Sequence, residues 1–276
     1  MKPFLKTNDF SVSGEAFELF HDEELDILVT RPQPENLETY YESDSYISHT
    51  DANKSLIDKL YQAVKKFSLW RKTLLINSYS SGNKTLLDVG AGTGDFLLAA
   101  ENRGWAVKGI EPSRDARLRS REKKMELFPN MGFLSGGEKF QIITLWHVLE
   151  HLPDLENQIL KLSWHLEDDG ALVIAVPNFK SHDAEHYKEF WAAYDVPRHL
   201  WHFSREGIEK LFAKHDMKVV KTKPMWFDAF YVSLLSEKYK TGNQQFLKGF
   251  LVGLISNFIG ALTTQYSSVI YIIKKA

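Results

Sequence analysis

The stretch Leu86-Leu87-Asp88-Val89-Gly90-Ala91-Gly92-Thr93-Gly94-Asp95-Phe96-Leu97 decides the fold of this chain. An apolar run typical of a buried strand leads into three glycines at alternate positions and then into a helical pattern. Glycine tolerates a tight turn and lets backbone N–H groups approach a ligand at the start of a helix. The stretch therefore predicts a nucleotide-cofactor loop between a strand and a helix.

An acidic residue follows at the spacing that such a loop requires. Glu111 ends the next apolar segment, Trp105-Ala106-Val107-Lys108-Gly109-Ile110. In α/β nucleotide-binding folds, a carboxylate about 20 residues beyond the glycines accepts hydrogen bonds from the ribose hydroxyls. The loop and Glu111 together predict a site for an adenosine-containing cofactor.

The bulk composition is typical of a globular α/β protein. Of the 276 residues, 43% are hydrophobic and 25% are charged. The net charge of −2 gives no basic field to gather nucleic acid, so no nucleic-acid partner is predicted. The chain has no cysteine, which excludes disulfides and cysteine nucleophiles. The N-terminal residues lack the apolar core of a secretory signal, which predicts a cytoplasmic location.

Alternating strand and helix patterns organise the middle of the chain. Strands are predicted over 84–89, 105–110, 140–146 and 170–176, and helices over 94–103, 114–127 and 154–166. This alternation favours a mainly parallel sheet with the ligand at the carboxyl ends of the strands. A helix over 204–214 and strands over 217–223 and 268–273 complete the pattern.

Three parts are predicted along the chain. Residues 1–82 form an N-terminal cap and a docking helix that starts at Asp51, residues 83–223 with 267–276 form the cofactor-binding domain, and residues 224–266 form a helical insertion. An aromatic group in the cap either closes over the cofactor or packs the cap against the domain. This group consists of Tyr40, Tyr41, Tyr46 and His49.

Four motifs in register resemble the class I S-adenosylmethionine-dependent methyltransferases, in the branch of quinone-biosynthesis and sugar-modifying enzymes. They are Asp88–Gly94, Gly109–Ser113, Ile143–Leu152 and Gly170–Asn178, within residues 84–222. The resemblance implies a Rossmann-like, seven-stranded, mainly parallel sheet with helices on both faces and an antiparallel last strand. It also implies S-adenosylmethionine as the cofactor.

The resemblance further implies which residues hold this cofactor. The glycine loop wraps the methionine moiety, the counterpart of Glu111 holds both ribose hydroxyls, and Leu145–His147 line the cofactor beside the substrate. The predicted cofactor site is Asp88, Gly90, Ala91, Gly92, Gly94, Glu111, Pro112, Leu145, Trp146 and His147. The chain departs from the family after the third strand, where no carboxylate precedes Glu138. Leu134 and Ser135 are therefore the candidates for the adenine contact.

Methyl transfer from a sulfonium is an in-line displacement that depends on positioning and on the exclusion of water. An acceptor hydroxyl or amine also benefits from a base with a pKa near neutrality, which histidine supplies. The catalytic candidates are His199, His202 and His151. In the segment Pro197-Arg198-His199-Leu200-Trp201-His202, Arg198 either pairs with an anionic substrate group or holds the loop together with the histidines.

The segment His147-Val148-Leu149-Glu150-His151 matches the histidine spacing of inverted zinc proteases. A zinc site of that kind needs the whole segment in one helix and a third ligand. A strand is predicted to end at Trp146, and Pro153 follows the segment closely, so no metal is predicted. His151 either makes local hydrogen bonds or lines the acceptor pocket.

The insertion contains a stretch, 246–262, that is apolar nearly all round. It falls short of the ~20 residues of a membrane span and is interrupted by Lys248, Ser256 and Asn257, so no transmembrane span is predicted. Two interpretations stay open. The stretch is buried, within the insertion or in a homodimer formed through 224–266, or it is a surface that meets an apolar or lipid-linked acceptor.

The predicted function is therefore methylation of a small-molecule acceptor, with oxygen as the favoured atom. An NAD-dependent dehydrogenase would also suit the glycines and Glu111, although Asp95 stands where the third glycine of that motif is expected. The other alternative is a non-catalytic protein that binds the cofactor or a membrane surface.

Overall fold

A computed structural model describes residues 1–41 and 56–276 of the chain. Tyr46, His49 and the predicted helix start at Asp51 lie outside the described residues. The strands are β1 (Lys2–Asn8), β2 (Ala16–Asp22), β3 (Ile27–Arg31), β4 (Thr85–Val89), β5 (Ala106–Ile110), β6 (Leu127–Phe128), β7 (Phe140–Trp146), β8 (Leu166–Pro177), β9 (Trp201–Phe203), β10 (Met217–Pro224) and β11 (Ser268–Lys275). The α-helices are α1 (Leu56–Asn77), α2 (Asp95–Glu101), α3 (Arg114–Glu122), α4 (Leu155–His165), α5 (His182–Tyr187), α6 (Arg205–Ala213), α7 (Asp228–Thr241) and α8 (Phe246–Thr263).

A seven-stranded sheet has the strand order β10-β11-β8-β7-β4-β5-β6. Strand β4 pairs in parallel with β5 and with β7, β5 pairs in parallel with β6, and the last strands are antiparallel. This confirms the predicted Rossmann-like fold. The register sets Val89 opposite both Ile110 and Leu145, so the residues that follow these three positions lie at one edge of the sheet.

The described contacts divide the chain into two compact units. One contains residues 50–148, 156–174 and 272–276 and carries β4–β7 with α1–α3 and most of α4. Its strands are continuous apolar runs, as expected for a parallel sheet covered on both faces. Leu86, Leu87, Ile142, Ile143 and Val173 are fully buried in its core.

The other unit contains residues 1–49, 149–155 and 175–271. Here a four-stranded antiparallel sheet, β1-β2-β3-β9, accompanies α5–α8. Its core includes Phe17, Leu19, Leu28, Tyr187 and Trp191. The sequence did not predict this sheet, because residues 2–31 carry no clear alternation and β9 has only three residues.

Several element boundaries differ from the sequence-based expectation. Helix α3 ends at Glu122 rather than at residue 127, because Lys124 adopts a φ of 62° and the chain then enters β6. Strand β8 begins at Leu166 rather than at residue 170. Residues 179–203, for which no element was predicted, contain α5 and β9. Residues 224–266, predicted as a helical insertion, hold the two helices α7 and α8.

Candidate functional site

The glycine loop between β4 and α2 depends on backbone shapes that favour glycine. Gly90, Gly92 and Gly94 have φ angles of 73°, 54° and 78°. A Cβ atom at Gly90 would lie 2.3 Å from Val148 Cγ2, so side-chain volume is excluded there as well. The loop is therefore a cradle of bare backbone, of the kind that binds a cofactor closely.

Glu111 is tied directly to this loop. Its Oε2 accepts a hydrogen bond from the Gly92 N–H at 2.8 Å, and its Oε1 accepts one from the Ser113 N–H at 2.8 Å. Burial raises the pKa of Glu111, and these two backbone hydrogen bonds oppose that rise. Each carboxylate oxygen keeps lone-pair capacity for a hydroxyl donor, which matches the predicted ribose contact.

Two predicted cofactor residues are buried beside the loop. Leu145 is fully buried and Asp88 is 2% exposed. Thr144 Oγ1 donates a hydrogen bond of 2.6 Å to Asp88 Oδ1, and burial raises the pKa of Asp88 to about 7. Their side chains therefore support the loop from the core.

Trp146 and His147 follow β7 at the same sheet edge. The Trp146 ring meets Phe96 edge to face, with centroids 5.6 Å apart, and Lys72 Nζ lies 4.2 Å from the Trp146 ring centroid. Within the described chain, Trp146 Nε1 is buried without a hydrogen-bond acceptor. A buried N–H donor of this kind is expected where a ligand supplies the acceptor. With the bare glycine loop, it makes this edge fit a cofactor.

The remaining predicted positions differ in backbone conformation and in burial. His147 has a φ of 58°, which is uncommon for a residue other than glycine. Ala91 and Leu134 are buried, whereas Pro112 and Ser135 are exposed.

A charged network at the start of α2 escaped the sequence reasoning. Asp95 forms ion pairs with Lys65 at 2.8 Å and with Lys123 at 2.6 Å, and Lys123 Nζ also donates to Thr93 Oγ1 at 2.8 Å. The lysines lie about 30 residues away on either side, so no local pattern links them to Asp95. Together they fix the end of the glycine loop.

The other unit brings together His151, His199 and Glu150. The two imidazole rings meet edge to face, with centroids 4.5 Å apart. The possible ligand atoms of the three residues lie within 4.8 Å of one another, so among the described residues this group could hold a metal ion. His151 is partly exposed, whereas His199 and Glu150 are buried.

Hydrogen bonds fix the protonated nitrogen of each ring. His151 Nδ1 lies 3.0 Å from the Arg198 carbonyl oxygen and 2.9 Å from Tyr41 Oη. His199 Nδ1 lies 2.9 Å from the Ala193 carbonyl oxygen. Because a carbonyl oxygen only accepts, the proton of each ring is assigned to Nδ1, and Nε2 carries the lone pair. Burial and the neighbouring His151 lower the pKa of His199 well below its usual value.

His202 has a different environment from the other two histidines. Its Nε2 lies 3.0 Å from Thr30 Oγ1, and Thr30 donates to the His199 carbonyl oxygen at 2.6 Å. His202 Nε2–H is therefore the donor to Thr30. Burial lowers the pKa of His202 to about 3. This position favours a structural role over the predicted catalytic one.

Arg198 is held inside the protein by two carboxylates. Its side chain is 1% exposed, and Nη2 lies 2.8 Å from Asp9 Oδ1 and 2.7 Å from Asp195 Oδ1. Burial would raise the pKa of Asp9, but hydrogen bonds from Arg198 and Ser13 outweigh it and hold the pKa well below its usual value. Of the two interpretations of Arg198, the structure favours the one in which it holds the loop.

Comparisons with known proteins agree with this geometry. A family model described as a methyltransferase domain matches residues 57–222, more than half of the chain. Among curated relatives, a ubiquinone biosynthesis O-methyltransferase of Glaesserella parasuis is 31% identical over 118 residues, which are 37% of this chain and 50% of the relative. An uncharacterized methyltransferase of Staphylococcus carnosus is 30% identical over 114 residues, covering 40% of this chain and 54% of the relative. The chain thus spans about half the length of these relatives.

Among solved structures, magnesium protoporphyrin IX methyltransferase from Synechocystis PCC 6803, with bound SAH, superposes with a TM-score of 0.55 at 14% identity. The match covers 86% of this chain and 97% of that one, and at this identity it shows the fold alone. The chain belongs to the methyltransferase-domain family, in the class that uses S-adenosylmethionine as its cofactor. This family assignment does not support the dehydrogenase alternative.

Proposed function

We propose that the protein transfers the methyl group of S-adenosylmethionine to a hydroxyl oxygen of a small-molecule acceptor. The observation that carries this proposal is the link between Glu111 and the Gly92 N–H, which joins the predicted ribose carboxylate to the glycine loop. The cofactor supplies the electrophilic methyl group. The protein binds the cofactor, orients it and excludes water from the displacement.

The residues proposed to hold the cofactor follow from the geometry of that sheet edge. The loop Gly90–Gly94 provides the backbone cradle, Glu111 accepts from the ribose hydroxyls, and the Trp146 N–H donates to the bound molecule. Asp88 and Leu145 shape the floor of the loop. We also propose that the protein is located in the cytoplasm.

His151 is the proposed base for the acceptor hydroxyl. It is the partly exposed member of the histidine group, and its Nε2 carries the lone pair. His199 stands against it as a neutral, buried partner that fixes the ring. Of the three candidates, His151 rather than His199 or His202 is proposed as the base, because a buried imidazole with a strongly lowered pKa does not accept a proton near neutral pH.

Thermal shift tests the cofactor part of the proposal. S-adenosylhomocysteine at ~100 times its dissociation constant is expected to add about 2.7 kcal/mol to the free energy of unfolding, and NAD is expected to add nothing. Glu111→Gln is expected to weaken S-adenosylhomocysteine binding about 10- to 100-fold, because it removes a charge-assisted acceptor. Unchanged affinity in Glu111→Gln would take this residue out of the ribose site.

Turnover tests the catalytic part. With phenols, catechols and alcohols offered as acceptors, His151→Ala is expected to lower the rate of S-adenosylhomocysteine release by about 10²- to 10⁴-fold while cofactor affinity is unchanged. His182→Ala serves as the control, because His182 is a partly exposed histidine outside the group. Cofactor binding without turnover on any acceptor class would instead favour a non-catalytic binding protein.

A further inference from the structure

Helix α8 has its polar side inside the protein and its apolar side outside. Ser256 Oγ donates to Asp183 Oδ1 at 2.6 Å, and Asn257 Nδ2 donates to the Trp226 carbonyl oxygen at 2.8 Å. Both side chains are buried. In a helix on the surface of a globular protein the arrangement is normally the reverse, with the polar side facing water.

The opposite side of α8 is a continuous apolar surface. Eight large apolar side chains between Phe246 and Leu262 are exposed, and we call them the outward face of α8. Leu247 is 74% exposed, Phe258 67% and Leu262 72%. Apolar surface of this extent marks an interaction site in soluble proteins.

Glycines hold α8 firmly against α7. A Cβ atom at Gly249 would lie 2.8 Å from Leu234 Cα, and one at Gly253 would lie 2.9 Å from the Ala229 carbonyl oxygen. Such glycine-to-backbone contact at four-residue spacing is the close packing typical of helices in lipid. By length and composition α8 is apolar enough to cross a membrane. These contacts and the buried hydrogen bonds occupy its inner side, which favours a helix that stays with its unit and lies on the bilayer surface.

The charged and aromatic residues around α7 and α8 indicate what binds the outward face of α8. Lys238 and Lys240 are exposed in the last turn of α7, which leads into the start of α8. The acid beside them, Glu237, is buried and paired with Lys248 at 3.2 Å, so it does not neutralise these two lysines. Trp226 and Phe227, just before α7, are also exposed. Exposed lysines and aromatic rings that flank an apolar helix are typical of a lipid interface.

We infer that the outward face of α8 binds the surface of an anionic lipid bilayer, with the helix lying in the membrane plane rather than crossing it. Hydrocarbon covers the apolar face, and lipid phosphate groups pair with Lys238 and Lys240. This inference does not rest on methyl-transfer activity.

Co-sedimentation of the full chain with vesicles tests the inference. We expect binding to vesicles of equal phosphatidylcholine and phosphatidylglycerol, and weaker binding to phosphatidylcholine alone. Phe258→Ser and Leu262→Ser are each expected to weaken binding to both vesicles about tenfold, since each removes apolar side-chain burial. Lys238→Gln and Lys240→Gln are each expected to weaken binding about fivefold, and only to the anionic vesicles.

Phe133→Ser is the matched control, because Phe133 is 60% exposed but lies in the unit of residues 50–148, away from α8, and the variant is expected to bind vesicles like the unchanged protein. Circular dichroism with thermal unfolding reports separately that each variant is folded. The inference fails if the folded chain sediments with neither vesicle, or if sedimentation velocity shows a stable dimer that Phe258→Ser dissociates. Resistance of the bound protein to alkaline carbonate extraction would also overturn it, because it would show a helix that crosses the bilayer.

Discussion

Gly90 is the position of the cofactor loop that tolerates least change. Gly90→Ala places a Cβ atom 2.3 Å from Val148 Cγ2 and imposes a side chain on a φ of 73°. We expect it to lower the free energy of unfolding by about 1–3 kcal/mol and to weaken S-adenosylhomocysteine binding. Urea unfolding and calorimetric titration measure the two effects.

The double variant Gly90→Ala/Val148→Ala separates the two causes. It removes the Val148 γ-methyl groups that the new Cβ would meet, but it leaves the unfavourable φ. We therefore expect Gly90→Ala to lower the free energy of unfolding less in the Val148→Ala background than in the unchanged protein. An equal loss in both backgrounds would show that the backbone conformation, and not the contact with Val148, governs this position.

The raised pKa of Asp88 predicts that the free energy of unfolding depends on pH. The variant Asp88→Asn isolates this effect. Burial raises the pKa of Asp88 from 3.8 in the unfolded chain to about 7, so the folded state binds a proton that the unfolded state releases. Its contribution is complete below pH 4 and is lost as the pH rises toward 7. Asp88→Asn retains an acceptor for Thr144 and lacks this titration. The variant is therefore expected to gain stability relative to the unchanged protein between pH 4 and pH 8, by at most about 4 kcal/mol. A constant difference in the free energy of unfolding between Asp88→Asn and the unchanged protein across this range would contradict the raised pKa.

The loop that carries the histidines depends on one buried ion-pair network. Asp9→Asn removes a carboxylate that faces the buried Arg198 and leaves the guanidinium with Asp195. We expect a loss of about 3 kcal/mol in the free energy of unfolding by urea, because a buried charge loses a partner. The loss should shrink as the pH falls below about 4, because Asp9 then gains a proton in the unfolded chain while Arg198 keeps it ionised in the folded protein.

An exposed pair provides the control for this experiment. Lys2 and Glu23 form an ion pair at 2.8 Å, with side chains that are 70% and 56% exposed. Glu23→Gln is expected to leave the free energy of unfolding nearly unchanged, because solvent screens an exposed ion pair. Equal effects of the two substitutions would mean that Arg198 does not depend on Asp9.

The strands differ in how well they could be predicted from the sequence. Strand β7 was predicted over its observed range, 140–146, and β4 to within one residue, because buried parallel strands are continuous apolar runs. Strand β1 is mostly exposed along its length, so its sequence has no apolar alternation to find. The partner of Arg198, Asp9, lies 189 residues away in the chain, and only the folded structure brings them together.

The cofactor loop is built from residues close together in the sequence and could be predicted from them. The histidine group is built from distant residues, and its assembly could not be predicted in the same way. The glycines and Glu111 lie within 22 residues, and their spacing alone indicated a nucleotide site. His151 and His199 are 48 residues apart, and their ring contact depends on the path of the chain between them. For this reason the sequence left three histidines as catalytic candidates, and burial and hydrogen bonding distinguish among them.

Chelation tests whether the proposed reaction proceeds without a metal. In the proposed methyl transfer to oxygen, positive charge is lost at sulfur and a histidine base accepts the proton of the acceptor, so the proposal requires no metal. Although Glu150, His151 and His199 form the group that could hold an ion, we expect EDTA treatment followed by dialysis to leave turnover unchanged. Elemental analysis of the purified protein is expected to show no stoichiometric transition metal. Loss of turnover on chelation, with recovery on adding Zn²⁺ or Mg²⁺ and no such recovery in His199→Ala, would make this group a metal centre and would remove His151 from the role of free base.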